Sequence, residues 1–328
     1  MSFAQIYGQE RAVRMLRGAL QTNALAHAYI FGGPPGTGRR KAAETLIQAF
    51  YCVAGTGDAC GQCLECRKVK NRNHPEVRWI EPDGTAIKID QIRELQQNFA
   101  FRSAGGRRKF YVVNEAERMT VQAANSLLKF LEEPHSDVVA ILITDNGQAL
   151  LPTIRSRAQF IPFVPVNREE MSRLLLAEGH PAPLVRAAVH LAAGPDAARE
   201  MLRADWFAET RNIMIQLARE SQNELSSALA TIQNQVVKGE AAEHLPVLLD
   251  LWLLWFKDLV HLHLGREDRV VFADQLPLLR AQAKSGAPHG WIGCMEHVME
   301  LKKRLRFHAN AQLGLEQLAV KVHRLREQ

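Results

Sequence analysis

Four short apolar runs occur in the first half of the chain, and sequence with helical spacing separates each from the next. The runs are residues 28–31, 77–80, 110–113 and 138–143. The helical segments are residues 39–51, 89–100 and 120–133, with Thr120 as a cap and Pro134 as a stop. Strands that are buried on both faces read as short continuous apolar runs. The alternation therefore predicts an α/β domain with a parallel sheet and helices on both faces.

The second half of the chain has amphipathic helical patterns almost throughout, from residue 206 onward. One broad apolar face has helical spacing and comprises Leu248, Leu251, Trp252, Trp255, Phe256 and Leu259. The last pattern suits packing against another helix and comprises Leu315, Leu318, Val322 and Leu325. We therefore predict an all-α C-terminal domain. The longest uninterrupted apolar run, residues 251–256, is far shorter than the roughly 20 residues of a membrane span, so no membrane partner is expected.

Length and charge restrict the architecture only loosely. At about 150 residues per domain, a chain of 328 residues is long enough for two or three domains. A hydrophobic content of 47% is ample for packed cores. No charged and then apolar signal segment opens the chain, so a cytoplasmic protein is expected. The net charge of +6 fits weak attraction to nucleic-acid phosphate as well as ordinary solubility.

Basic residues gather at two places. The first cluster comprises Arg102, Arg107, Arg108 and Lys109 around Gly105 and Gly106, and the second comprises Lys302, Lys303, Arg304 and Arg306. Each cluster is compatible with a solvated loop or helix face and with contacts to nucleic-acid phosphate. Charge alone does not choose between the two.

A glycine-rich loop follows the first apolar run and comprises Gly33, Pro34, Pro35, Gly36, Thr37 and Gly38. In a phosphate-binding loop two glycines are separated by four residues, and a Lys and a Ser or Thr follow them. Gly33 and Gly38 have that spacing, and a strand before the loop with a helix after it is the required context. However, Arg39 stands at the lysine position and Arg40 at the hydroxyl position. A guanidinium group cannot bind Mg²⁺ and would repel it.

A third departure from an ATPase follows the run at residues 110–113. P-loop NTPases place there an Asp that helps to hold Mg²⁺, but this chain has Asn114. Glu115 keeps the position of the general base. Together with Arg39 and Arg40, Asn114 predicts that ATP hydrolysis is lost. Whether the loop binds ATP without hydrolysing it stays open.

Four of the five cysteines cluster directly after the helix at residues 39–51. Cys52, Cys60, Cys63 and Cys66 have the spacing C-x7-C-x2-C-x2-C. In a cytoplasmic chain such a cluster indicates a metal ahead of disulfides, and four thiolates form a closed tetrahedral Zn²⁺ site. An iron–sulfur cluster is the rival, but the C-x3-C-P continuation of the ferredoxin pattern is missing. We predict structural Zn²⁺, with His74 as a surface residue outside the site.

Two further segments carry a family resemblance. Residues 124–134 read Ala-Asn-Ser-Leu-Leu-Lys-Phe-Leu-Glu-Glu-Pro, and residues 151–158 read Leu-Pro-Thr-Ile-Arg-Ser-Arg-Ala. Together with the altered loop and the cysteine quartet, they make the chain resemble, essentially end to end, the delta-prime subunits of the bacterial DNA polymerase III clamp loader. These are AAA+ proteins. The resemblance implies a AAA+ P-loop-like domain at 1–165 with a zinc insertion at 52–66, a helical lid at 166–205 and a helical collar at 206–328.

The resemblance also implies roles for single residues. The Walker A loop corresponds to Gly33, Gly36 and Gly38, and the Walker B end corresponds to Asn114 and Glu115. Thr144 corresponds to the polar sensor, and Arg157 to the arginine finger that acts on a neighbouring subunit's ATP. Ala158 stands where the family's Ser-Arg-Cys motif has cysteine. In the lid, the position of a second sensor arginine after Gly194 is taken by Ala197, and Arg199 is off register.

The function implied by the resemblance is that of a subunit without independent activity. It would join gamma/tau motor subunits and delta in a hetero-pentamer that places a sliding clamp on primed DNA, with DNA contacts to phosphate. Two alternatives stay open. An active AAA+ ATPase, as the motor subunit of a clamp loader or as a helicase loader, is favoured by the glycine spacing and Glu115. A zinc-dependent DNA-binding adaptor is the other.

Overall fold

Two compact units make up the chain. The computed structural model describes residues 2–55, 57–100, 108–132, 138–305, 307 and 309–325, with residues 98–100 described by their backbone alone. The first unit comprises the chain up to Asn167 together with Ala193–Ala197. The second comprises Arg168–Ala192 and the chain from Ala198 onward. The finer division into three domains, at residues 165 and 205, stays a prediction.

A five-stranded sheet lies at the centre of the first unit. Its strands are β1 (Ala28–Gly32), β2 (Val77–Ile80), β3 (Lys109–Val113), β4 (Val138–Thr144) and β5 (Gln159–Pro162). Their spatial order is β2-β3-β4-β1-β5, and all neighbours are parallel. Four of these strands are the predicted apolar runs, with ends shifted by at most one residue. The predicted parallel α/β class is thereby confirmed.

Alternate residues of the central strands enter two separate cores. Tyr29 and Phe31 of β1 belong to one core, which includes residues of the helix that follows the loop. Ala28 and Ile30 belong to the other core, on the opposite face. Because both faces are covered, every residue of β1, β3 and β4 is buried. This double burial explains why these strands appear in the sequence as continuous apolar runs.

The two edge strands are less buried. Arg78 of β2 is exposed, and so are Gln159 and Phe160 of β5. Strand β5 was not predicted, because a four-residue edge strand that ends in Pro162 lacks the apolar run by which the central strands are identified.

The helices described in the first unit surround this sheet. They are α1 (Glu10–Gln21), α2 (Arg39–Tyr51), α3 (Leu64–Lys70), α4 (Ile89–Ala100), α5 (Val121–Glu132) and α6 (Pro152–Arg155). Helices α2 and α4 have the predicted bounds. The hydroxyl of Thr120 accepts a hydrogen bond of 3.2 Å from the N–H of Ala123, which confirms the predicted cap of α5. The predicted helix end and stop, Glu133 and Pro134, lie outside the described residues.

The second unit is built from helices. They are α7 (Arg168–Ala177), α8 (Ala182–Leu191), α9 (Pro195–Arg203), α10 (Asp205–Asn223), α11 (Leu225–Thr231), α12 (Leu245–His263), α13 (Leu276–Lys284), α14 (Pro288–Leu305) and α15 (Ala311–Arg324). Helix α9 begins in the first unit. Each of the six residues on the predicted apolar face of α12 is at most 2% exposed. Across the described part of the chain, no helix combines the length and apolar character that a membrane span requires.

Polar side chains also anchor helix α12 inside the second unit. The Asp258 carboxylate is buried and accepts hydrogen bonds of 2.8 to 3.0 Å from the N–H groups of Val271 and Phe272. The indole N–H of Trp255 donates to the amide oxygen of Gln282 at 2.8 Å. These bonds satisfy polar groups that would otherwise be costly to bury.

Candidate functional site

The glycine-rich loop joins β1 to α2, which is the context that a phosphate-binding loop requires. Gly36 and Gly38 have φ angles of 82° and 88°, a left-handed conformation that glycine adopts without a steric penalty. Thr37 is buried, and its hydroxyl donates to the carbonyl of Pro34 at 2.8 Å. The loop therefore has the backbone features expected of a phosphate cradle, and the altered chemistry lies in the side chains.

Arg39, at the position of the P-loop lysine, is the first residue of α2. Its side chain is 8% exposed, and its Nη2 atom forms an ion pair with Asp145, the residue after β4. The Nη1 atom is buried and has no hydrogen-bond partner among the described residues. A carboxylate of the same chain thus neutralises the cation at the position where an ATPase lysine meets phosphate oxygens.

One carboxylate holds both residues that replace magnesium ligands. The Nη2 atom of Arg40 donates to Oε1 of Glu81 at 2.8 Å, and the amide of Asn114 donates to Oε2 at 2.8 Å. Arg72 also donates to Oε1, at 3.0 Å. In P-loop NTPases the hydroxyl and the carboxylate at the positions of Arg40 and Asn114 bind Mg²⁺. Here both side chains bind Glu81 instead.

Trp79 supports this network from β2. The guanidinium carbon of Arg72 lies 4.8 Å from the Trp79 ring centroid, and that of Arg40 lies 5.8 Å from it. Cation–π contacts at such distances contribute about 0.5–1 kcal/mol at exposed sites. Together with the ion pairs to Glu81, they hold the two guanidinium groups at the carboxyl end of β2.

Glu115 retains the identity of a general base but not a free carboxylate. Its backbone is left-handed, with φ and ψ both 50°, which is uncommon for a residue other than glycine. Its Oε2 atom forms an ion pair of 2.8 Å with Nε of Arg118. The carboxylate therefore carries an internal partner at the position where a base would face the attacking water.

Thr144 lies at the end of β4, next to the loop. It is fully buried, and its hydroxyl accepts a hydrogen bond of 3.2 Å from the N–H of Asn146. Its carbonyl accepts a hydrogen bond of 3.2 Å from the N–H of Gly33. The predicted sensor and the predicted loop are therefore adjacent in the structure.

The segment Ala193–Ala197 packs directly on the loop. A β-carbon added to Gly194 would lie 2.1 Å from the carbonyl oxygen of Gly36, and one added to Gly36 would lie 2.4 Å from the β-carbon of Ala197. Asp196 forms an ion pair of 3.6 Å with Lys41. The residue that meets the loop is thus the uncharged Ala197, the position assigned from the resemblance to a second sensor arginine.

Arg199, the arginine that the sequence placed off register, is engaged within the second unit. Its Nε and Nη2 atoms donate to the carboxylate of Glu178 at 2.7 to 3.1 Å. This bidentate arrangement is a strong form of ion pair.

Arg157 lies just after α6 with its side chain 37% exposed. Its Nη1 atom donates to the carbonyl of Thr153 at 3.1 Å and to the hydroxyl of Ser156 at 3.3 Å. Its Nη2 atom forms an ion pair of 3.0 Å with Glu132, at the end of α5. Ala158 packs against the core of its sheet face, so a small apolar residue takes the place of the family's cysteine. The guanidinium is therefore both positioned and accessible.

The four predicted metal ligands come together. The sulfur atoms of Cys52, Cys60, Cys63 and Cys66 all lie within 4.8 Å of one another. A tetrahedral zinc site with Zn–S bonds of about 2.3 Å places sulfur atoms about 3.8 Å apart, and Sγ of Cys60 lies 4.0 Å from Sγ of Cys66. Backbone N–H groups of Cys60, Cys63 and Cys66 each donate to a sulfur of the preceding cysteine at 3.4 Å. The donor set and its spacing fit Zn²⁺.

The same geometry shifts the thiol pKa values in opposite directions. Hydrogen bonds from the backbone N–H groups of Cys63 and Gln62 lower the pKa of the Cys60 thiol to about 6. Burial raises the pKa of Cys66 to about 12. A bound divalent cation supplies the positive charge that keeps such a buried thiol deprotonated. Cys60 is thus prepared as a thiolate by the backbone, whereas Cys66 depends on the metal.

The prediction that His74 lies on the surface is wrong. His74 is 1% exposed, and its Nε2 atom lies 2.9 Å from Oε2 of Glu65. Its ring lies 4.1 Å, centroid to centroid, from that of Tyr51. Burial lowers the pKa of His74. The side chain is part of the packing beneath the cysteine insertion, where aromatic contact and a carboxylate partner compensate for its burial.

Sequence reasoning did not find the carboxylates that hold the altered residues. Asp145 follows β4 and Glu81 follows β2, and neither belongs to a motif. One signal was available, because the carboxyl ends of parallel strands meet at one edge of a sheet, where sites form in α/β folds. Acidic residues directly after predicted strands were therefore candidates for partners of Arg39 and Arg40.

Each of the two basic clusters lies partly outside the described residues. Arg102, Arg107 and Arg306 lie outside the described residues. Lys109 is buried in β3, Lys302 pairs with Asp250, and Arg304 pairs with Glu300 at 3.1 Å. No assignment of DNA-contacting residues follows from either cluster.

Comparison with known proteins confirms the resemblance drawn from the sequence. A family model described as "DNA polymerase III, delta subunit" matches residues 8–167. DNA polymerase III subunit delta′ of Bacillus subtilis (strain 168) is 33% identical over 313 residues, covering 95% of this chain and 95% of that protein. The delta′ subunit of Pseudomonas aeruginosa is 30% identical over 305 residues, and the aligned region covers 88% of this chain and 90% of that protein.

Two further matches are shorter or lower in sequence identity. DNA polymerase III subunit gamma/tau of Mycobacterium tuberculosis is 33% identical over 53% of this chain and 30% of its own length. A solved structure of a DNA polymerase III gamma subunit-related protein from Thermotoga maritima has 19% identity and a TM-score of 0.45, covering 95% of this chain and 99% of that one. On the strength of the two delta′ relatives, which match it nearly end to end, this chain belongs to the delta′ family of DNA polymerase III subunits.

Proposed function

We propose that this chain is a non-hydrolysing clamp-loader subunit that supplies an arginine finger to a neighbouring ATPase subunit. It assembles with gamma/tau motor subunits and with delta in a hetero-pentamer that loads a sliding clamp onto primed DNA. Support comes from the near-complete match to delta′ subunits and from the shorter match to gamma/tau. The protein acts in the cytoplasm and has no catalytic activity of its own.

The network around Glu81 carries the non-hydrolysing part of the proposal. Arg40 and Asn114 replace two magnesium ligands, and both are bound to Glu81 at 2.8 Å. Mg²⁺ requires oxygen ligands in near-octahedral geometry, which a guanidinium and an amide N–H₂ group cannot provide. Without the metal, charge that develops on the transferring phosphoryl group is not neutralised.

Arg157 serves a site that this chain does not complete by itself. An arginine finger stabilises the transition-state charge of phosphoryl transfer and contributes about 10³–10⁵ in rate. The exposed fraction of Arg157, which pairs with Glu132 among the described residues, allows the guanidinium to reach a phosphate across a subunit interface. Its bonds to Thr153 and Ser156 keep the side chain oriented.

The cysteine quartet has a structural part in this proposal. Zn²⁺ held by Cys52, Cys60, Cys63 and Cys66 orders an insertion too short to have a core of its own. In isolated zinc-finger peptides metal binding supplies about 10–16 kcal/mol of folding free energy. Four thiolates close the coordination shell, so no catalytic role is assigned to the metal.

Reconstitution with gamma/tau and delta tests the proposal. We expect Arg157→Ala to leave assembly intact and to lower ATP hydrolysis and clamp loading by the complex. Arg155→Ala is the matched control, because Arg155 lies two residues away and bonds to Gln148 instead. DNA binding should weaken as salt is raised, since phosphate contacts release counterions.

Three results would contradict the proposal. Unchanged ATPase activity with Arg157→Ala would remove the finger role. ATP turnover by the isolated chain at motor-like rates, abolished by Gly38→Asp, would favour an active AAA+ ATPase. Failure to assemble with gamma/tau and delta would favour a zinc-dependent DNA-binding adaptor.

A further inference from the structure

A cavity of about 820 Å³ lies within the second unit. It is lined by residues of helices α7, α8 and α12 and of the segment that follows α12. Its volume falls within the range of about 300–1,000 Å³ that small-molecule sites occupy. Neither the altered phosphate loop nor the cysteine quartet contributes to it.

The charge of the cavity lining is strongly unbalanced. Its cations are Arg168, Arg173, Arg186, Lys257 and Arg269. Among the described residues, two carboxylates line it, those of Glu169 and Asp268. Oδ2 of Asp268 lies 4.0 Å from Nε of Arg269. In the described part of this lining, five cations therefore stand against two carboxylates.

Two histidines of the lining, His190 and His261, have lowered pKa values, chiefly because they are buried. The Nδ1 atoms of His190 and His261 are buried, and neither has a hydrogen-bond partner among the described residues. Burial, and after it the charges of Arg168, Lys257 and His261, lower the pKa of His190 to about 4. Burial and neighbouring cations, foremost Lys257, also lower the pKa of His261. Two imidazoles therefore stay neutral in a lining that already concentrates positive charge.

The cations of the lining repel one another, and they reach solvent, since the four arginines are exposed and Lys257 is half-buried. A multiply charged anion relieves this repulsion, since its oxygens accept hydrogen bonds from guanidinium and ammonium groups. Guanidinium groups match the geometry of phosphate oxygens and bind them bidentately.

We propose that this cavity binds a compact oligophosphate, such as pyrophosphate or the phosphate chain of a nucleotide. Three helices and a loop place their cations around one concave volume, which suits a ligand that carries several charges on adjacent phosphates. A nucleic-acid strand spreads its charge, at about one per 3.4 Å of helix rise, and suits an elongated groove instead. This site is independent of the proposed clamp-loader function.

Isothermal titration calorimetry on the full chain tests the proposal, with sodium tripolyphosphate as the probe in magnesium-free buffer of physiological ionic strength. The unmodified chain should show saturable binding at one site. Lys257→Gln and Arg186→Gln should each weaken that binding at least about ten-fold, because each removes a charge-assisted hydrogen bond. Lys303→Gln removes the same charge from an exposed residue outside the cavity and should leave the affinity unchanged. Thermal unfolding of each variant checks that it is folded.

A second arm separates the sources of the ligand. If the recognised group is the phosphate chain alone, ATP and tripolyphosphate bind equally and lose affinity equally with Lys257→Gln. Tighter binding of ATP that is still weakened by Lys257→Gln supports a nucleotide as the source. Saturable binding to a single-stranded DNA oligonucleotide, weakened by Lys257→Gln while tripolyphosphate does not bind, overturns the oligophosphate assignment. So does tripolyphosphate binding that is insensitive to Lys257→Gln and Arg186→Gln, or the absence of any saturable binding.

Discussion

Arg40 and Asn114 share a hydrogen-bond partner, since the carboxylate of Glu81 lies 2.8 Å from each. In a P-loop ATPase the same two positions share a magnesium ion, which joins the loop helix to a central strand when nucleotide is bound. In this chain an internal carboxylate makes the connection. Glu81 thereby links α2 to the end of β3.

Glu81→Gln should lower the free energy of unfolding by about 1 kcal/mol, because Glu81 pairs with both Arg40 and Arg72 and each partly exposed ion pair contributes about 0.2–1 kcal/mol. The effect should shrink as salt is raised, since the pairs are partly screened. Urea unfolding of the full chain at low and high NaCl measures it. Asp83→Asn is the control, because its single ion pair to Lys88 is far more exposed. Equal losses in the two variants would refute the importance of the shared carboxylate.

Gly194→Ala should destabilise the first unit by about 1–3 kcal/mol. The added β-carbon would lie 2.1 Å from the carbonyl oxygen of Gly36, so the segment or the loop must move. Gly18→Ala is the control, and its expected change in stability has the opposite sign. Nothing lies within 4 Å of a β-carbon at Gly18, which is inside α1, so alanine should stabilise that helix by about 0.5–1 kcal/mol. Thermal unfolding compares the two, and a stable Gly194→Ala chain would argue against close packing on the loop.

Metal analysis of the purified chain should find about one zinc ion per chain. Cys63→Ser should abolish it, since Sγ of Cys63 belongs to the quartet. Cys294→Ser should retain the metal, because Cys294 is buried outside the quartet. Iron in place of zinc, or zinc retained by Cys63→Ser, would contradict the assignment.

Asp258 should make stability depend on pH. Burial raises the pKa of its carboxyl from 3.8 to about 6 in the folded chain. The folded state therefore binds more protons than the unfolded state between these values, and the contribution of Asp258 to stability falls as pH rises from about 4 to about 6. Asp258→Asn lacks this titration and can still accept from Val271 and Phe272.

The measurement for Asp258 is the difference in unfolding free energy between Asp258→Asn and the unmodified chain at pH 4.5 and 7.5. Between pH 4.5 and pH 7.5, the unfolding free energy of Asp258→Asn should rise relative to that of the unmodified chain by on the order of 2 kcal/mol. A difference that does not change with pH, or that moves in the opposite direction, would show that the hydrogen bonds to Val271 and Phe272 keep the carboxylate charged.

Burial on both faces made the central strands predictable. Residues 28–31, 110–113 and 138–143 of these strands form unbroken apolar runs because helices cover the sheet on either side. The edge strand β5 was missed, since Gln159 and Pro162 leave an apolar run of two residues between them. His74 was misplaced for a related reason: a single polar residue before a proline carries no sign of the aromatic and carboxylate partners that bury it.

The sequence by itself determined which chemical groups are present at the glycine-rich loop and in the cysteine quartet, because loop spacing and ligand spacing are local properties of the chain. It established that Arg39, Arg40 and Asn114 stand where an ATPase needs other side chains. Only the tertiary structure decided what those groups bind. Glu81 and Asp145 come from segments distant in sequence, and the parallel strand ends bring them to their partners.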